Sequence, residues 1–206
     1  MTSLLAAEGG YQEFTLAGGE WFVLLASAVT ALIAIAVGFG LMKSVLDADQ
    51  VLVGRNATRR AYNMRLRERR GFSGELPVAG DKLVCLRNNK KKGLFNGGLW
   101  TVKAAPTAKR AILSMHVQSE DNPGRRPIKV SVRQECFSGT IDELDWTLRK
   151  PYVEFDYGYV LTVHKAQGSQ WDDVVLFDES FAFQETRQRW LYTGITRAAK
   201  RLTVVM

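Results

Sequence analysis

The residues best suited to chemistry lie in one short stretch, LTVHKAQGSQ at residues 161–170. An apolar run leads into Thr162, His164 and Lys165, and Gly168 follows. A hydroxyl, an imidazole and an ammonium at the end of a strand are donors that a phosphodiester backbone needs. Gly168 would let backbone N–H groups approach a phosphate or a sugar closely. The stretch predicts a loop that binds phosphate or nucleic acid, although alone it is also compatible with a purely structural loop.

A second candidate is LYTGITRAAKRLTVV at residues 191–205. It places Tyr192 and two threonines within about one and a half turns of Arg197 on a predicted helix, so several of them can face one cleft. In phosphoryl transfer, an arginine in such a position neutralises the charge that builds on the γ-phosphate. We therefore expect Arg197 to reach toward a phosphate. An ordinary surface arginine on a C-terminal helix is the alternative.

The stretch VVLFDES at residues 174–180 imitates the strand that holds magnesium in nucleotide hydrolases. That geometry requires a Gly-rich loop of the form GxxxxGK[ST] nearby, and none occurs in the 206 residues. We therefore expect Asp178 and Glu179 to end a strand and cap the following helix, and we predict no metal-binding residues. Cys85 and Cys136 have no His or Cys neighbours at metal spacing, which favours reduced cytosolic thiols over a single disulfide.

Positive charge is concentrated in the middle of the chain. The formal net charge is +7 overall, but it is −4 over residues 1–50, +12 over residues 51–150 and −1 over residues 151–206. A positive field concentrated in this way points to a polyanion, either nucleic acid or an anionic membrane surface. A solvated basic face that keeps the chain soluble is the alternative.

The N-terminal segment differs from the rest of the chain. From Trp21 to Met42 there are 22 residues without a charge. A helix of this length can cross a hydrocarbon core of about 30 Å. Acidic residues precede the run and basic residues follow it, which predicts a cytoplasmic C-terminal part anchored in the inner membrane. A buried helix of a larger assembly and a segment misjoined to this reading frame are the alternatives.

The remaining sequence predicts two patterns of secondary structure. A short strand, a turn at Gly54 and a basic helix come first, and the helix places only Ala61, Met64 and Leu66 near one apolar face. The rest of that helix should be solvated or bound to anions. Residues 75–137 then predict several short strands in a small sheet or barrel. Strands later alternate with one helix, QETRQRWLYTGITRAAK, as in a parallel α/β sheet.

Three stretches together resemble motifs IV, V and VI of superfamily 1 DNA helicases. In chain order they are QVLVGRNATRRAYN, LTVHKAQGSQWDDVVLF and RWLYTGITRAAKRLTVV. They are most similar to the RecD/Dda-like 5′→3′ group, whose C-terminal region is UvrD-like. The stretch GDKLVCLRNNKKKGLFNGGLWTV resembles the small Src-homology-3-like barrel inserted in the second motor domain of that group.

The resemblance implies an α/β fold with a RecA-like parallel sheet. Residues 47–74 and 150–206 would form this second motor domain, and residues 75–149 would form the inserted Src-homology-3-like β-barrel. Residues 1–46 would precede both; they are the acidic lead and the apolar helix, for which a membrane span and a misjoined segment are the open interpretations, and the family does not predict a membrane helix there.

The resemblance also implies how a nucleotide is bound. In the family, ATP with Mg²⁺ lies between this domain and a first motor domain, which carries the Gly-rich loop and the magnesium acids. Arg197 would be the catalytic arginine finger on the γ-phosphate, and Gly168 and Gln170 would border the nucleotide. The family usually has a Glu in place of Gln170, where it binds the ribose, so this contact would be uncharged. Tyr192 and Thr193 would couple the nucleotide site to DNA.

Single-stranded DNA is the second ligand that the resemblance implies. Thr162, His164 and Lys165 would touch its backbone, and Arg55 or Arg59 would add a phosphate contact. The sequence thus predicts the C-terminal half of an ATP-dependent DNA helicase, which does not hydrolyse ATP without its first motor domain. The alternative is a non-catalytic, membrane-tethered module whose basic middle section binds nucleic acid or anionic lipid.

Overall fold

A four-stranded parallel sheet lies beneath the predicted site. The computed structural model describes residues 40–206. In spatial order the strands are β10 (Ala198–Val205), β9 (Trp171–Phe177), β1 (Gln50–Val53) and β8 (Val160–Thr162), each parallel to its neighbour. The predicted mixed α/β fold with a parallel sheet is therefore confirmed.

Strands β1 and β8 are neighbours in this sheet. Their sequences are short apolar runs because both faces of these strands are covered. Every residue of these strands is buried. The one long polar side chain among them is Gln50, whose amide donates to the carbonyl oxygens of Gly158 (3.2 Å) and Tyr159 (3.1 Å). Gln50 thereby fixes the turn that leads into β8, because a buried amide is costly unless it is hydrogen-bonded.

Helix α1 (Asn56–Arg69) follows β1 after the turn at Gly54, as the sequence predicts. The prediction that this helix buries an apolar face is wrong, because most of the residues that it buries are polar or charged. Its buried residues are Arg59, Asn63, Leu66 and Arg67, whereas Ala61 is exposed and Met64 only half-buried. The arginines are buried because carboxylates from elsewhere in the fold pair with them, which a local pattern cannot show.

A second, antiparallel sheet contains the short strands predicted in the middle of the chain. It consists of β2 (Lys82–Cys85), β3 (Leu99–Val102), β4 (Thr107–Lys109), β5 (Ile112–Ser119), β6 (Ile128–Arg133) and β7 (Phe155–Tyr157). Its order is β4-β5-β3-β2-β7, and β6 also pairs with β5. Two short helices, α2 (Glu135–Ser138) and α3 (Trp146–Arg149), lie between β6 and β7. The likeness to a Src-homology-3 barrel stays a prediction.

The C-terminal helix is shorter than predicted. A 3-10 helix (Ser180–Thr186) precedes α4 (Arg187–Ile195), and β10 begins at Ala198. The expected helical extension through Lys200 is wrong, because the chain leaves the helix to pair with β9. The N–H of Trp171 donates to the carbonyl of Arg197 (2.9 Å), and Ala198 is the register partner of Trp171. Sheet pairing therefore overrides local helix propensity at this point.

Both sheets and α4 share one hydrophobic core. Leu52, Leu161 and Leu176 of the parallel sheet lie in one cluster with Val84 and Leu99 of the antiparallel sheet and with Trp190 of α4. The helix approaches the sheet closely at Gly194, where a Cβ would lie 3.0 Å from Leu176 Cδ2. The antiparallel sheet is therefore not an independent domain on a linker. Cys85 and Cys136 are buried free thiols.

The predicted membrane-spanning run, residues 21–42, lies almost entirely outside the described residues and stays a prediction. Within residues 40–206, no helix combines the length and the apolar character that crossing a bilayer requires.

Candidate nucleotide and nucleic-acid site

The predicted site residues divide between the two ends of the parallel sheet. Residues 163–170 connect the carboxyl end of β8 to the amino end of β9, and α4 connects the same two ends between β9 and β10. His164 therefore lies at the carboxyl end of the sheet, whereas Gln170 and Arg197 lie at the amino end. The residues predicted to contact DNA and those predicted to contact nucleotide are separated in this way.

At the carboxyl end, Thr162 orders the connecting segment. It is buried, and its Oγ1 accepts a hydrogen bond from the Lys165 N–H (3.3 Å) while its carbonyl accepts one from the Ala166 N–H (3.0 Å). The hydroxyl proton remains available, since a hydroxyl can accept and donate at once. His164 is exposed and its ring lies 5.3 Å from that of Phe183. Thr162 thus positions His164 and Lys165.

Lys165 lies in an electrostatic setting that an anion would relieve. Its burial, and then the positive charge of Arg59, lower the pKa of its ammonium below the ordinary value, while Asp156 opposes this. A phosphate beside Lys165 would supply a counter-charge and raise this pKa again.

The two arginines predicted to contact phosphate are placed differently. Arg59 is only 4% exposed, and its Nη1 lies 2.7 Å from Asp156 Oδ2 in a buried ion pair. The side chain of Arg55 is 54% exposed, although its Nε donates to Glu179 Oε1 (2.9 Å). Of the two, Arg55 has the surface that an incoming phosphate can reach.

Glu179 has a role that the sequence did not indicate. It was expected to cap the following helix, but its carboxylate instead accepts hydrogen bonds from the turn before α1. The donors are the N–H of Gly54 (2.8 Å), the N–H of Arg55 (2.9 Å) and the hydroxyl of Thr58 (2.6 Å). Burial alone would raise the pKa of Glu179, but these hydrogen bonds outweigh it and hold the pKa below its ordinary value. Asp178 behaves as predicted, since its Oδ1 accepts from the N–H of Ser180 at the next helix (2.8 Å).

At the amino end, Arg197 follows α4 in a turn, and the predicted helical position is wrong. Its Nε donates to the carbonyl of Thr193 (3.0 Å), Nη1 to the carbonyl of Ser169 (3.0 Å) and Nη2 to Thr196 Oγ1 (3.1 Å). A guanidinium has five N–H donors, so two remain for a ligand. Arg197 is therefore oriented by the protein without being saturated.

Gln170 and Gly168 lie beside Arg197. Gln170 stands between Ser169 and Trp171, both of which are hydrogen-bonded to Arg197, and it is exposed. Gly168 has a φ of +88°, a left-handed conformation that favours glycine. Tyr192, on α4, is 70% exposed. Gly168, Gln170 and Arg197 thus lie together at the amino end of the sheet, whereas Tyr192 lies one helical turn before Thr196, whose N–H donates to the Tyr192 carbonyl (3.0 Å).

A groove runs between residues 163–167 and α4. Its volume is about 200 Å³, and it is lined by Val163, His164, Gln167, Thr186, Arg189, Trp190 and Thr193. Whole-ligand pockets usually measure about 300–1,000 Å³, so this groove suits part of a ligand. Because Thr193 lines the groove and its carbonyl holds Arg197, a ligand there would contact the helix that orients the guanidinium.

The described part of the chain contains no cluster of candidate metal ligands. Within residues 40–206, no group of three or more His, Cys, Asp or Glu side chains could ligate a metal ion. The donors present are guanidinium, amide and hydroxyl groups, which suit phosphate oxygens rather than Mg²⁺.

Comparison with known proteins identifies the C-terminal segment. Residues 157–205 match the UvrD-like helicase C-terminal domain family. The Methanocaldococcus jannaschii protein named "Uncharacterized protein MJ1519" is 40% identical over 143 residues, which cover 66% of this chain and 11% of that protein.

One solved structure shares the fold, and a second is a weaker structural match. Pif1 helicase from Candida albicans is 15% identical over 76% of this chain and 44% of its own, with a TM-score of 0.50. Pif1 helicase from Bacteroides in complex with ADP-AlF3 and ssDNA is 13% identical over 76% of this chain and 40% of its own, with a TM-score of 0.47. The chain thus spans less than half the length of each of these proteins. The match of residues 157–205 to the UvrD-like helicase C-terminal domain family confirms, over that segment, the predicted resemblance to the C-terminal domain of superfamily 1 helicases.

Proposed function

We propose that residues 47–206 act as the second motor domain of an ATP-dependent DNA helicase. The domain binds single-stranded DNA and supplies Arg197 to ATP that is held on a first motor domain. The observation that carries this proposal is the sheet geometry, which orients Arg197 beside Gln170 at one end and places His164 and Lys165 at the other.

The nucleotide half of the proposal rests on the two unused N–H donors of Arg197. A γ-phosphate gains negative charge as its bond to the β-phosphate breaks, and a guanidinium aimed at it stabilises that charge. In this proposal, the Gly-rich loop and the magnesium ligands come from the first motor domain. Support for nucleotide use comes from the Bacteroides Pif1 helicase, which is bound to ADP-AlF3 and ssDNA.

The DNA half rests on the carboxyl end of the sheet. Lys165 has a lowered pKa, Arg55 is exposed, and the His164 imidazole faces solvent. A single strand laid along this end would meet all three as backbone contacts. Binding should therefore weaken with salt, by a slope of about 0.7 in log K per log salt for each phosphate contacted.

The experiment is an ATPase assay of the full chain, with and without the first motor domain of a RecD-like helicase added as a separate polypeptide. We expect no hydrolysis by the chain alone and DNA-stimulated hydrolysis by the pair. Arg197→Ala should lower the rate of the pair by about 10³- to 10⁵-fold. Arg201→Ala is the matched control, because Arg201 is exposed on β10 and paired with Asp173.

Two results would contradict the proposal. An unchanged rate for Arg197→Ala in the active pair would remove the arginine finger. ATPase activity of the chain alone that disappears with Asp178→Ala would instead make the carboxylates after β9 metal ligands.

A further inference from the structure

An exposed aromatic ring stands at the carboxyl end of the parallel sheet. Phe181 is 60% exposed in the 3-10 helix that follows β9. Two residues on, Phe183 packs instead against Trp190, with ring centroids 5.4 Å apart, and against His164 at 5.3 Å. The same short segment thus uses one phenylalanine for packing and leaves the other in solvent, where its ring contributes little to folding.

The exposed ring is nevertheless held in place. Ser180 is 1% exposed, its N–H donates to Asp178 Oδ1 (2.8 Å), and its Oγ accepts from Arg187 Nε (3.0 Å). Glu179 is fixed by the hydrogen bonds to the turn before α1. The residues immediately before Phe181 are therefore anchored in the core, so the ring is presented to solvent by an ordered backbone.

A guanidinium lies over this ring. Arg55 Cζ is 5.5 Å from the ring centroid of Phe181, within the range of a cation–π contact. Arg55 and Arg187 are exposed, whereas Glu179 is buried and Asp178 is half-buried. Of these four residues, the two cations are therefore more exposed than the two carboxylates, although Glu185 adds an exposed carboxylate to the same 3-10 helix.

Ring, guanidinium and location together fit a nucleotide of a single strand. Bases stack on exposed aromatic side chains and on arginine planes, and backbone phosphates pair with arginine. Ligands of open parallel sheets bind at the carboxyl ends of the strands, which is where Phe181 and Arg55 lie. We propose that Phe181 is a stacking platform for one base of the bound strand, with Arg55 on the adjacent phosphate. This inference rests on the proposed single-strand binding and adds the residue that receives a base.

The test measures binding of the full chain to a fluorescent oligo(dT) strand by anisotropy, at several salt concentrations. Phe181→Ala and Phe181→Leu should each weaken binding by about 5- to 150-fold, the range for loss of one stacked base. The salt slope should not change, because no phosphate contact is removed. Phe181→Trp should retain binding, and its indole fluorescence should be quenched when the strand is added.

Arg55→Ala should behave differently from Phe181→Ala. It should lower the magnitude of the salt slope by about 0.7, the value for one phosphate on a single strand. Trp146→Ala is the matched control, because Trp146 is 54% exposed and also lies under a guanidinium, Arg87 at 5.0 Å, but on α3. Its affinity should equal that of the unaltered chain. Thermal unfolding of each variant checks that the fold is retained.

The possible failures are distinguishable. If the unaltered chain does not bind the strand, the proposed function fails and this inference falls with it. If Lys165→Ala weakens binding but Phe181→Ala and Phe181→Leu do not, single-strand binding stands and the stacking role is overturned. If Phe181→Ala impairs only association with the first motor domain, the ring is a protein contact and the inference is likewise overturned.

Discussion

Helix α1 and the 3-10 helix Lys90–Lys92 are both basic, but α1 directs two arginines into the protein, whereas all three lysines face solvent. Arg67 is the extreme case. Its Nε lies 2.8 Å from Asp81 Oδ1, and the two side chains are 1% and 0% exposed. Arg67 also donates to the carbonyls of Gly74 and Leu76 and lies 4.6 Å over the ring of Tyr157. The charge of Arg67 is therefore neutralised by partners inside the protein.

The lysine segment keeps its charge available. Among the described residues, Lys90, Lys91 and Lys92 form no ion pair; the Lys92 ammonium donates to the carbonyl of Lys129 (2.9 Å), and exposed Arg125 donates to the carbonyl of Lys92 (3.0 Å). The difference teaches that a count of basic residues does not locate a binding surface. The positions of the buried carboxylates decide which cations remain free for an external anion.

The largest expected effect on stability is at the buried ion pair of Arg67 and Asp81. Arg67→Ala would leave Asp81 buried without its partner, which typically costs about 3–5 kcal/mol in the free energy of unfolding. Chemical denaturation of the full chain measures it. Arg69→Ala, on the exposed side of the same helix, should change stability by no more than about 0.5 kcal/mol. Equal losses of stability in both variants would show that the buried and the exposed arginines of α1 contribute equally to the fold.

Arg55 is intermediate between the buried arginines and the exposed lysines, because it is paired with Glu179 and yet exposed. A substitution of Glu179 tests this case. The pKa of Glu179 is lower in the folded chain than its ordinary 4.5, so its ionised form stabilises the fold above about pH 4.5. This stabilisation is lost as the pH falls through the folded pKa. Glu179→Gln should therefore cost about 1–3 kcal/mol at pH 7 and less under acid conditions. Glu185→Gln, an exposed carboxylate of the same 3-10 helix, is the control, and a pH-independent loss would contradict the account.

The smallest effect on stability is expected where the charge is free. Replacing Lys90, Lys91 and Lys92 by Gln should leave the unfolding midpoint unchanged. If each lysine meets one phosphate, the slope of log K against log salt for oligo(dT) should fall by about 2. Anisotropy between 50 and 200 mM salt measures this. An unchanged slope would mean that the lysine segment lies outside the path of the strand.

The sequence predicts those structural features that depend on residues close to one another in the chain. The strand of β1, the turn at Gly54 and the following helix are correct because apolar run, glycine and helical composition are local signals. The burial of Arg59 could not be predicted, because its partner Asp156 lies 97 positions away in the chain. Glu179 is a similar case, because the N–H of Gly54 is 125 positions away.

The same reason explains the error at Arg197. Its residue type and its proximity to Thr193 could be predicted, but the end of α4 depends on pairing with Trp171, which only the folded sheet reveals. A long-range contact thus sets the position of the residue to which we assign the chemistry.

The shared core of the two sheets has a mechanical consequence. Leu99 of the antiparallel sheet packs in the same cluster as Trp190 of α4, and the pair of Arg67 and Asp81 ties α1 to the start of β2. Close-packed interiors transmit displacement instead of absorbing it. Under the proposed function, a shift of α4 would therefore move the lysine segment as well, because the two sheets would move as one rigid body.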